Sequence, residues 1–227
     1  MHITISPKLE FDLEPHESWQ VKTRKRFLTE GGAQRRINWI PATDCLIARL
    51  ANGLLCVRLA YAKARPGKLV LDCAEGRRLI AIRVCSEKPV CIDVSRVVAM
   101  STTVRLRSCL SFSLAAASAN YAFVKQAYCV HPGASGTIVL ETAGQPTAAT
   151  GQNATFDVSR MIAWDPAIEF RTTRLQSLMC VFVEPVCISA SAPDKSDKVL
   201  LDADDSGAAF SPWKGIRRAL GLLVPGL

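Results

Sequence analysis

Residues 90–107 read VCIDVSRVVAMSTTVRLR, and residues 154–171 read ATFDVSRMIAWDPAIEFR. The two stretches align without gaps, with Asp93 on Asp157, and share six identical positions, four of them in the motif Asp-Val-Ser-Arg. A Pro-Gly turn and a short apolar strand precede each copy. Such repetition predicts duplicated β modules that pack as one continuous body. A fainter third copy is expected to start at Trp39 and to lead into residues 46–59.

Short runs of β-branched and aromatic residues alternate with polar ones along most of the chain, which is the period-two pattern of strands. Residues 46–59 are predicted to form a hairpin, because Asn52-Gly53 is a preferred dipeptide of the type I′ turn. The alanine-rich residues 114–127 fit a strand or, by the helix propensity of alanine, a helix. The fold class is therefore predicted as all-β. The remaining strands are expected at 19–28, 68–73, 78–85, 89–92, 96–100, 103–114, 121–130, 136–142, 154–157, 160–164, 167–173 and 177–190.

The length of 227 residues is enough for one large domain or two small ones. Residues 1–190 are predicted to form a single β-rich domain of two to three repeats. Residues 191–212 carry closely spaced Asp and Lys residues and are predicted to be a polar linker. Residues 213–227 are expected to form a flexible, amphipathic tail that suits contact with a membrane surface. The repeat cores are placed near 38–65, 66–130 and 131–190. The candidate membrane-contact residues are Trp213, Lys214, Ile216, Arg217, Arg218, Leu220, Leu222 and Leu223.

The formal net charge is +8, from 28 basic and 20 acidic side chains, and the excess is spread over the body of the chain. Lys22, Arg24 and Arg26 alternate with other residues, so one face of the predicted strand carries three positive charges. Together with Arg35 and Arg36 they form the candidate site for an anion such as RNA or an acidic lipid. The alternative is a charged strand edge that stays solvated and prevents aggregation.

Nine cysteines are present without any Cys-x-x-Cys pair, and most of them lie in apolar runs. An odd number in apolar surroundings predicts reduced core thiols and a cytoplasmic protein. The N-terminal stretch, 1–25, holds four carboxylates and no apolar run, so it does not fit a secretory signal. No segment offers the run of about 18 to 20 apolar residues that a membrane span requires.

The histidines are scattered along the chain, so their spacing does not suit a metal site. Cys129 and His131 form the one nucleophile and base arrangement, and a buried thiol beside a loop histidine is the favoured interpretation. The Asp-Val-Ser-Arg repeats are predicted to cap turns through Asp93 and Asp157, and Trp164 is expected in the core. We therefore expect no catalytic residue, no metal and no cofactor. The three histidines are His2, His16 and His131.

Residues 135–144, SGTIVLETAG, and residues 156–166, FDVSRMIAWDP, resemble the altered inheritance of mitochondria protein 24 family. Their glycine-led strand, turn and Ala-Trp-Asp-Pro segment carry the likeness, which extends more loosely over residues 9–190. Residues 14–18 are similar to an N-terminal turn in which the family prefers glycine at the position of His16. The resemblance implies repeated modules similar to the tryptophan RNA-binding attenuation protein, a short variant of the double-stranded β-helix, assembled as a ring-like trimer. It brings no catalytic residues with it.

The sequence favours a non-catalytic scaffold or interaction protein that forms a homo-oligomer, with a trimer preferred, and touches a membrane through its tail. An RNA- or anion-binding module that uses the basic strands is the second hypothesis. An enzyme is the third.

Overall fold

All but one of the described elements longer than three residues are strands, so the all-β fold class predicted from the sequence is confirmed. The one α-helix, α1, spans Leu46–Ala51, and one short 3₁₀ helix spans Val94–Arg96. The computed structural model describes residues 2–23, 25–40, 44–52, 54, 56–110, 123–150, 154–157, 160–172, 187–191 and 198–202. The strands are β1 His2–Ser6, β2 Lys8–Leu13, β3 Ser18–Lys22, β4 Phe27–Trp39, β5 Cys56–Asp72, β6 Arg78–Cys85, β7 Val90–Ile92, β8 Val97–Ser101, β9 Val104–Leu110, β10 Phe123–Cys129, β11 Ser135–Thr142, β12 Thr147–Thr150, β13 Ala154–Asp157, β14 Met161–Trp164, β15 Glu169–Thr172, β16 Cys187–Ser191 and β17 Lys198–Leu201.

Sheet A has eight strands, in the order β1-β6-β11-β8-β3-β5-β2, with β4 also paired to β5. All its pairs are antiparallel. β5 is 17 residues long and pairs with β4 along one edge. Its other edge pairs with β3 over 57–61 and with β2 over 67–72. β5 therefore links two parts of the sheet, and among the described strands β4 pairs only with β5.

Sheet B repeats the plan of sheet A. Its order, β12-β17-β14-β7-β10-β9, matches the path β6-β11-β8-β3-β5-β4 strand by strand. The register slips by one residue at Val98, where β8 pairs with β11, and at Ile162, where β14 pairs with β17. Val98 and Ile162 occupy the same position in the two copies of the sequence repeat. Sheet C, in the order β13-β16-β15, repeats only the part of the plan formed by β7, β10 and β9.

β17 corrects the prediction of a polar linker over 191–212. It lies inside sheet B between β12 and β14, with Val199 and Leu200 buried. The physical reason is visible in the sequence, since KVLLD at 198–202 is a third copy of KLVLD at 68–72 and TIVLE at 137–141. Apolar side chains in this pattern form a buried strand despite their polar flanks. The rest of the predicted linker and the tail at 213–227 lie outside the described residues.

Helix α1 replaces the first strand of the hairpin predicted at 46–59. The Leu54 N–H donates to the Arg49 carbonyl at 2.7 Å, which closes the end of the helix. The Arg49 side chain is fully buried and donates to both carboxylate oxygens of Asp44 at 3.1 Å and to Gln20 at 3.2 Å. Asp44 in turn accepts from the Leu106 N–H at 2.7 Å. These bonds, of which those to Gln20 and Leu106 are long-range, outweigh the local alternation that predicted a strand.

The core covers both faces of sheet A. Ile80 and Ile82 of β6 belong to one apolar cluster, which also contains buried residues of sheet B. Leu79 and Ala81, which alternate with them, belong to a second cluster on the opposite face. Trp164 is 2% exposed, so its prediction as a core residue is confirmed.

His16 occupies the N-terminal turn between β2 and β3. Its φ is 70°, in the left-handed region that glycine enters without steric cost. The turn is closed by a 2.9 Å hydrogen bond from the Glu17 N–H to the Glu14 carbonyl. The conformation explains why a glycine would suit this position.

Several strand boundaries differ from those predicted. The strand expected at 19–28 is two strands, because β3 ends at Lys22 and β4 begins at Phe27. β1, β2 and β12 were missed. Polar and charged residues occupy most of the exposed positions of β1 and β2, and β12 has no large apolar side chain. Within 114–127, the described part belongs to strand β10, and residues 114–122 lie outside the described residues.

Candidate functional site

A groove with a volume of about 420 Å³ opens beside the start of β4, and we call it the basic groove. Apolar lining comes from Phe27, Leu28 and Val70. The polar lining consists of five cationic side chains and one carboxylate. A concave site with apolar lining and an excess of one charge suits a small ligand of the opposite charge. The polar residues are Lys8, Lys25, Arg26, Arg35, Arg58 and Asp72.

Two arginines of the groove stack on one aromatic ring. The guanidinium carbon of Arg35 lies 5.0 Å from the centroid of the Phe27 ring, and that of Arg58 lies 5.7 Å from it. Arg35 also donates from Nε to the Thr29 hydroxyl at 3.0 Å, and Arg58 donates to the Thr23 carbonyl. Cation–π contacts of this kind contribute about 0.5–1 kcal/mol at exposed sites. The ring and the hydrogen bonds therefore hold both guanidinium groups in place before any ligand binds.

The cations of the groove differ in their ion pairing. Lys8 pairs with Glu10 at 2.8 Å, and Lys25 pairs with Glu141. Within the described residues, none of the carboxylates forms an ion pair with the three arginines of the groove. These three arginines, Arg26, Arg35 and Arg58, therefore carry the uncompensated charge of the site.

Two of the five predicted anion-binding residues line this groove, namely Arg26 and Arg35. Lys22 lies elsewhere, with its Nζ 3.4 Å from the Ser95 carbonyl oxygen. Arg36 follows Arg35 in β4, so its exposed side chain projects from the opposite face of the strand. Arg24 lies outside the described residues.

Sequence reasoning missed Arg58 and Phe27 as members of the site. Arg58 lies in β5, and the pairing of β4 with β5 places it opposite Ile37. No spacing in the sequence predicts that Arg58 contacts the Phe27 ring, because the two residues are far apart along the chain. The pairing of the two strands would have to be known first.

Six large apolar side chains are exposed at the end of β4 and on α1, and we call this surface the apolar end. Trp39 is the most exposed of them, at 75%. Trp39 pairs with Cys56 across the connection that contains α1, so the six belong to one end of the β4–β5 ribbon. Buried Arg49 anchors the helix on its inner side. The apolar end consists of Ile37, Trp39, Ile40, Leu46, Ile47 and Leu50.

The two Asp-Val-Ser-Arg copies meet at Asp202, which follows β17. Its carboxylate, 2% exposed, accepts from the Thr142 hydroxyl at 2.6 Å and the Ala143 N–H at 3.1 Å, and pairs with Arg96. Arg160 donates to the Asp202 carbonyl at 2.8 Å. Burial acts to raise the pKa of the Asp202 carboxyl, but the hydrogen bonds and the Arg96 charge outweigh it and lower that pKa. We call this arrangement the Asp202 node.

The turn-capping interpretation of the first copy is confirmed. The Asp93 carboxylate accepts from the Ser95 N–H at 2.9 Å and from the Ser95 hydroxyl at 2.7 Å. Asp93 is the N-cap of the 3₁₀ helix, and Arg96 is its last residue before β8. The corresponding residues 158 and 159 of the second copy lie outside the described residues.

Two thiols of the core, Cys91 and Cys129, are buried and take part in hydrogen bonds. Cys129 is 3% exposed and donates to the Val84 carbonyl at 3.3 Å, and burial raises the pKa of its thiol. Burial likewise raises the pKa of Cys91 to about 12. His131 lies in an exposed turn. Cys129 is therefore a buried thiol beside a histidine in a turn, as the favoured interpretation of the sequence expected.

Metal-binding clusters and membrane-spanning helices are both absent from the described ranges. No group of three or more His, Cys, Asp or Glu side chains in them is arranged to hold a metal ion. No helix among them reaches the length and apolar character needed to cross a membrane. The eight candidate membrane-contact residues between 213 and 223 lie outside the described residues.

No family model matches this chain, and no curated protein matches it. Among solved structures, the chain is similar to the crystal structure of protein SPYM3_0169 from Streptococcus pyogenes. The TM-score is 0.59 at 14% sequence identity, and the match covers 98% of this chain and 99% of that one. The likeness shows that the two proteins share an all-β fold.

Proposed function

We propose that this protein is a non-catalytic scaffold that assembles into a homo-oligomer, with a trimer favoured, through its apolar end. The observation that carries the proposal is the exposure of Ile37, Trp39 and Ile40 at the end of an edge strand. Tryptophan is enriched among the residues that dominate binding energy at protein interfaces. The resemblance to the altered inheritance of mitochondria protein 24 family implies a ring-like trimer, and we propose membership of that family, with its tryptophan RNA-binding attenuation protein-like modules.

The edge of β4 favours a second copy of the chain as the partner. Over residues 33–39 its outer edge presents backbone donors and acceptors that pair with no described strand. An unprotected edge next to exposed apolar side chains is a template for pairing with another chain. Closed, symmetric homo-oligomers cover such edges with an identical chain.

We propose that the scaffold works in a reducing compartment, the cytoplasm, at the surface of a membrane. Seven cysteines among the described residues are free thiols, which supports a reducing environment. Basic and apolar residues alternate in short groups over 213–224, which suits shallow contact with a membrane.

Light-scattering mass of the full chain tests the assembly. We expect the wild-type protein to have three times the mass of one chain. Trp39→Glu places a charge in the buried interface, and loss of a central tryptophan costs about 2 kcal/mol or more of binding energy. The variant is therefore expected to have the mass of a single chain.

Val130→Glu is the matched control, because Val130 is a large exposed apolar residue, at 52%, outside the apolar end. Its mass is expected to equal that of the wild type. A monomeric wild type, or equal dissociation of both variants, would overturn the proposal.

A further inference from the structure

We propose that the basic groove is a binding site for a molecule that carries a phosphate group on an apolar or aromatic substituent. The inference does not rest on the scaffold proposal, because the groove and the apolar end use different residues. Three observations support the proposed site: the charge balance of the groove, the geometry of its hydrogen-bond donors and its apolar lining.

The charge of the groove matches a phosphate group. Lys8 pairs with Glu10, and Lys25 shares the Glu141 carboxylate with Arg77. Three arginines remain against the single carboxylate of Asp72, so the net charge of the groove is at least +2. A phosphate monoester carries about −1.5 to −2 at neutral pH, so one bound group brings the groove close to neutrality.

The donors of the groove have the shape that phosphate recognition requires. A guanidinium group presents its N–H donors in a planar fork that fits two phosphate oxygens. The Phe27 ring holds the forks of Arg35 and Arg58 within 5.0 and 5.7 Å of its centroid. Because both groups are fixed in advance, less side-chain entropy is lost on binding.

The apolar lining indicates that the ligand is larger than inorganic phosphate. Leu28 is 58% exposed and lines the groove together with Val70. The volume of about 420 Å³ is in the range of sites for small organic ligands. A phosphate with an attached apolar or aromatic group fills both parts of the groove.

Titration calorimetry of the full-length protein with phenyl phosphate tests the site, and the variants are Arg35→Gln and Arg58→Gln. We expect saturable binding by the wild type and a loss of about tenfold or more in each variant, as for removal of one charge-assisted hydrogen bond. Arg36→Gln is the matched control, because Arg36 neighbours Arg35, is exposed and does not line the groove. It is expected to bind within about twofold of the wild type, since it removes the same charge without touching the groove.

Sedimentation with vesicles distinguishes a free phosphate compound from a lipid headgroup. One set consists of phosphatidylcholine alone, and the other contains phosphatidic acid. Binding to the second set that is lost in Arg35→Gln and kept in Arg36→Gln supports the site with a lipid as the phosphate source. Phenyl phosphate binding without vesicle binding supports it with a free compound.

Three results overturn the proposal. The first is failure of both phenyl phosphate and phosphatidic acid vesicles to bind. The second is an equal loss in Arg35→Gln and Arg36→Gln, which indicates diffuse attraction. The third is binding of an oligouridylate alone, which indicates an RNA surface. Thermal melting of each variant confirms that it is folded.

Discussion

β17 and β5 are built on the same motif, yet the carboxylates at their ends have different surroundings. The Asp202 carboxylate, after β17, is buried and bonded to the Arg96 side chain, the Thr142 hydroxyl and the Ala143 N–H. Asp72, the last residue of β5, is exposed and lines the basic groove. The arginines at the equivalent positions differ likewise, since Arg96 pairs with Asp202 and Arg26 pairs with no described carboxylate.

The difference follows from the strands that flank each copy. β8 and β14, which follow Arg96 and Arg160, each have described strands on both edges. β4, which follows Arg26, pairs only with β5 among the described strands. The repeated strand plan therefore brings an arginine and a carboxylate together at the Asp202 node and again at the basic groove. The neighbouring strands decide whether that place is closed, as at the Asp202 node, or open, as at the basic groove.

Removing each carboxylate in turn is expected to give the largest difference between the two regions, measured as the change in the free energy of unfolding. Asp202→Ala removes one of the two carboxylates that pair with Arg96 and leaves the Thr142 hydroxyl and the Ala143 N–H without this acceptor. Leaving a buried donor unsatisfied costs about 1–3 kcal/mol. Asp72→Ala removes an exposed side chain and is expected to change stability by no more than about 0.5 kcal/mol. Urea unfolding of the three proteins measures both values. Similar losses in the two variants would contradict the comparison.

The pH dependence of stability is expected to give a smaller effect at the same node. The pKa of Asp202 is lower in the folded protein than in the unfolded chain, where it is about 3.9. The stabilising contribution is therefore complete above about pH 4 and is lost as the pH falls through the folded-state pKa. The free energy of unfolding of Asp202→Asn should fall less steeply than that of the wild type below pH 4. Asp72→Asn is the control, and a flattened profile in that variant instead would contradict the assignment.

The sequence repeat predicted much of the architecture, because the alignment of Asp93 with Asp157 also aligns two bulges in equivalent strands. β17 was missed because the segment 191–212 is polar as a whole, and the three apolar residues of this strand are few within it. α1 was missed because it depends on long-range contacts, of Arg49 with Gln20 and of Asp44 with Leu106. Local alternation carries no information about such contacts.

The basic groove was predictable in part. The predicted stripe of basic residues contained Arg26, and Arg35 was added from the next basic pair, and both line the groove. Arg36 was grouped with Arg35 although neighbours in a strand project from opposite faces. Lys22 was grouped with Arg26 because the sequence does not reveal that its Nζ lies beside the Ser95 carbonyl. Arg58 joined the site only through the pairing of β4 with β5.

One strand plan is built three times in this molecule, twice completely in sheets A and B and once in part. The pair Gln20 and Met100 in sheet A corresponds to Cys91 and Trp164 in sheet B. Antiparallel neighbours have Cα atoms about 4.5–5.5 Å apart, which is close enough for a disulfide.

The most direct measurement of this repeated plan is oxidation of two variants, followed by mass spectrometry of the digested proteins. One is Gln20→Cys with Met100→Cys in sheet A, and the other is Trp164→Cys, which lies opposite the native Cys91 in sheet B. The controls, each one residue out of register, are Gln20→Cys with Ala99→Cys and Ala163→Cys beside Cys91. We predict disulfide-linked peptide pairs joining positions 20 and 100 and positions 91 and 164, and little or none in the controls. Absence of either linked pair, or equal linkage in the controls, would contradict the claim that sheet B repeats the strand plan of sheet A.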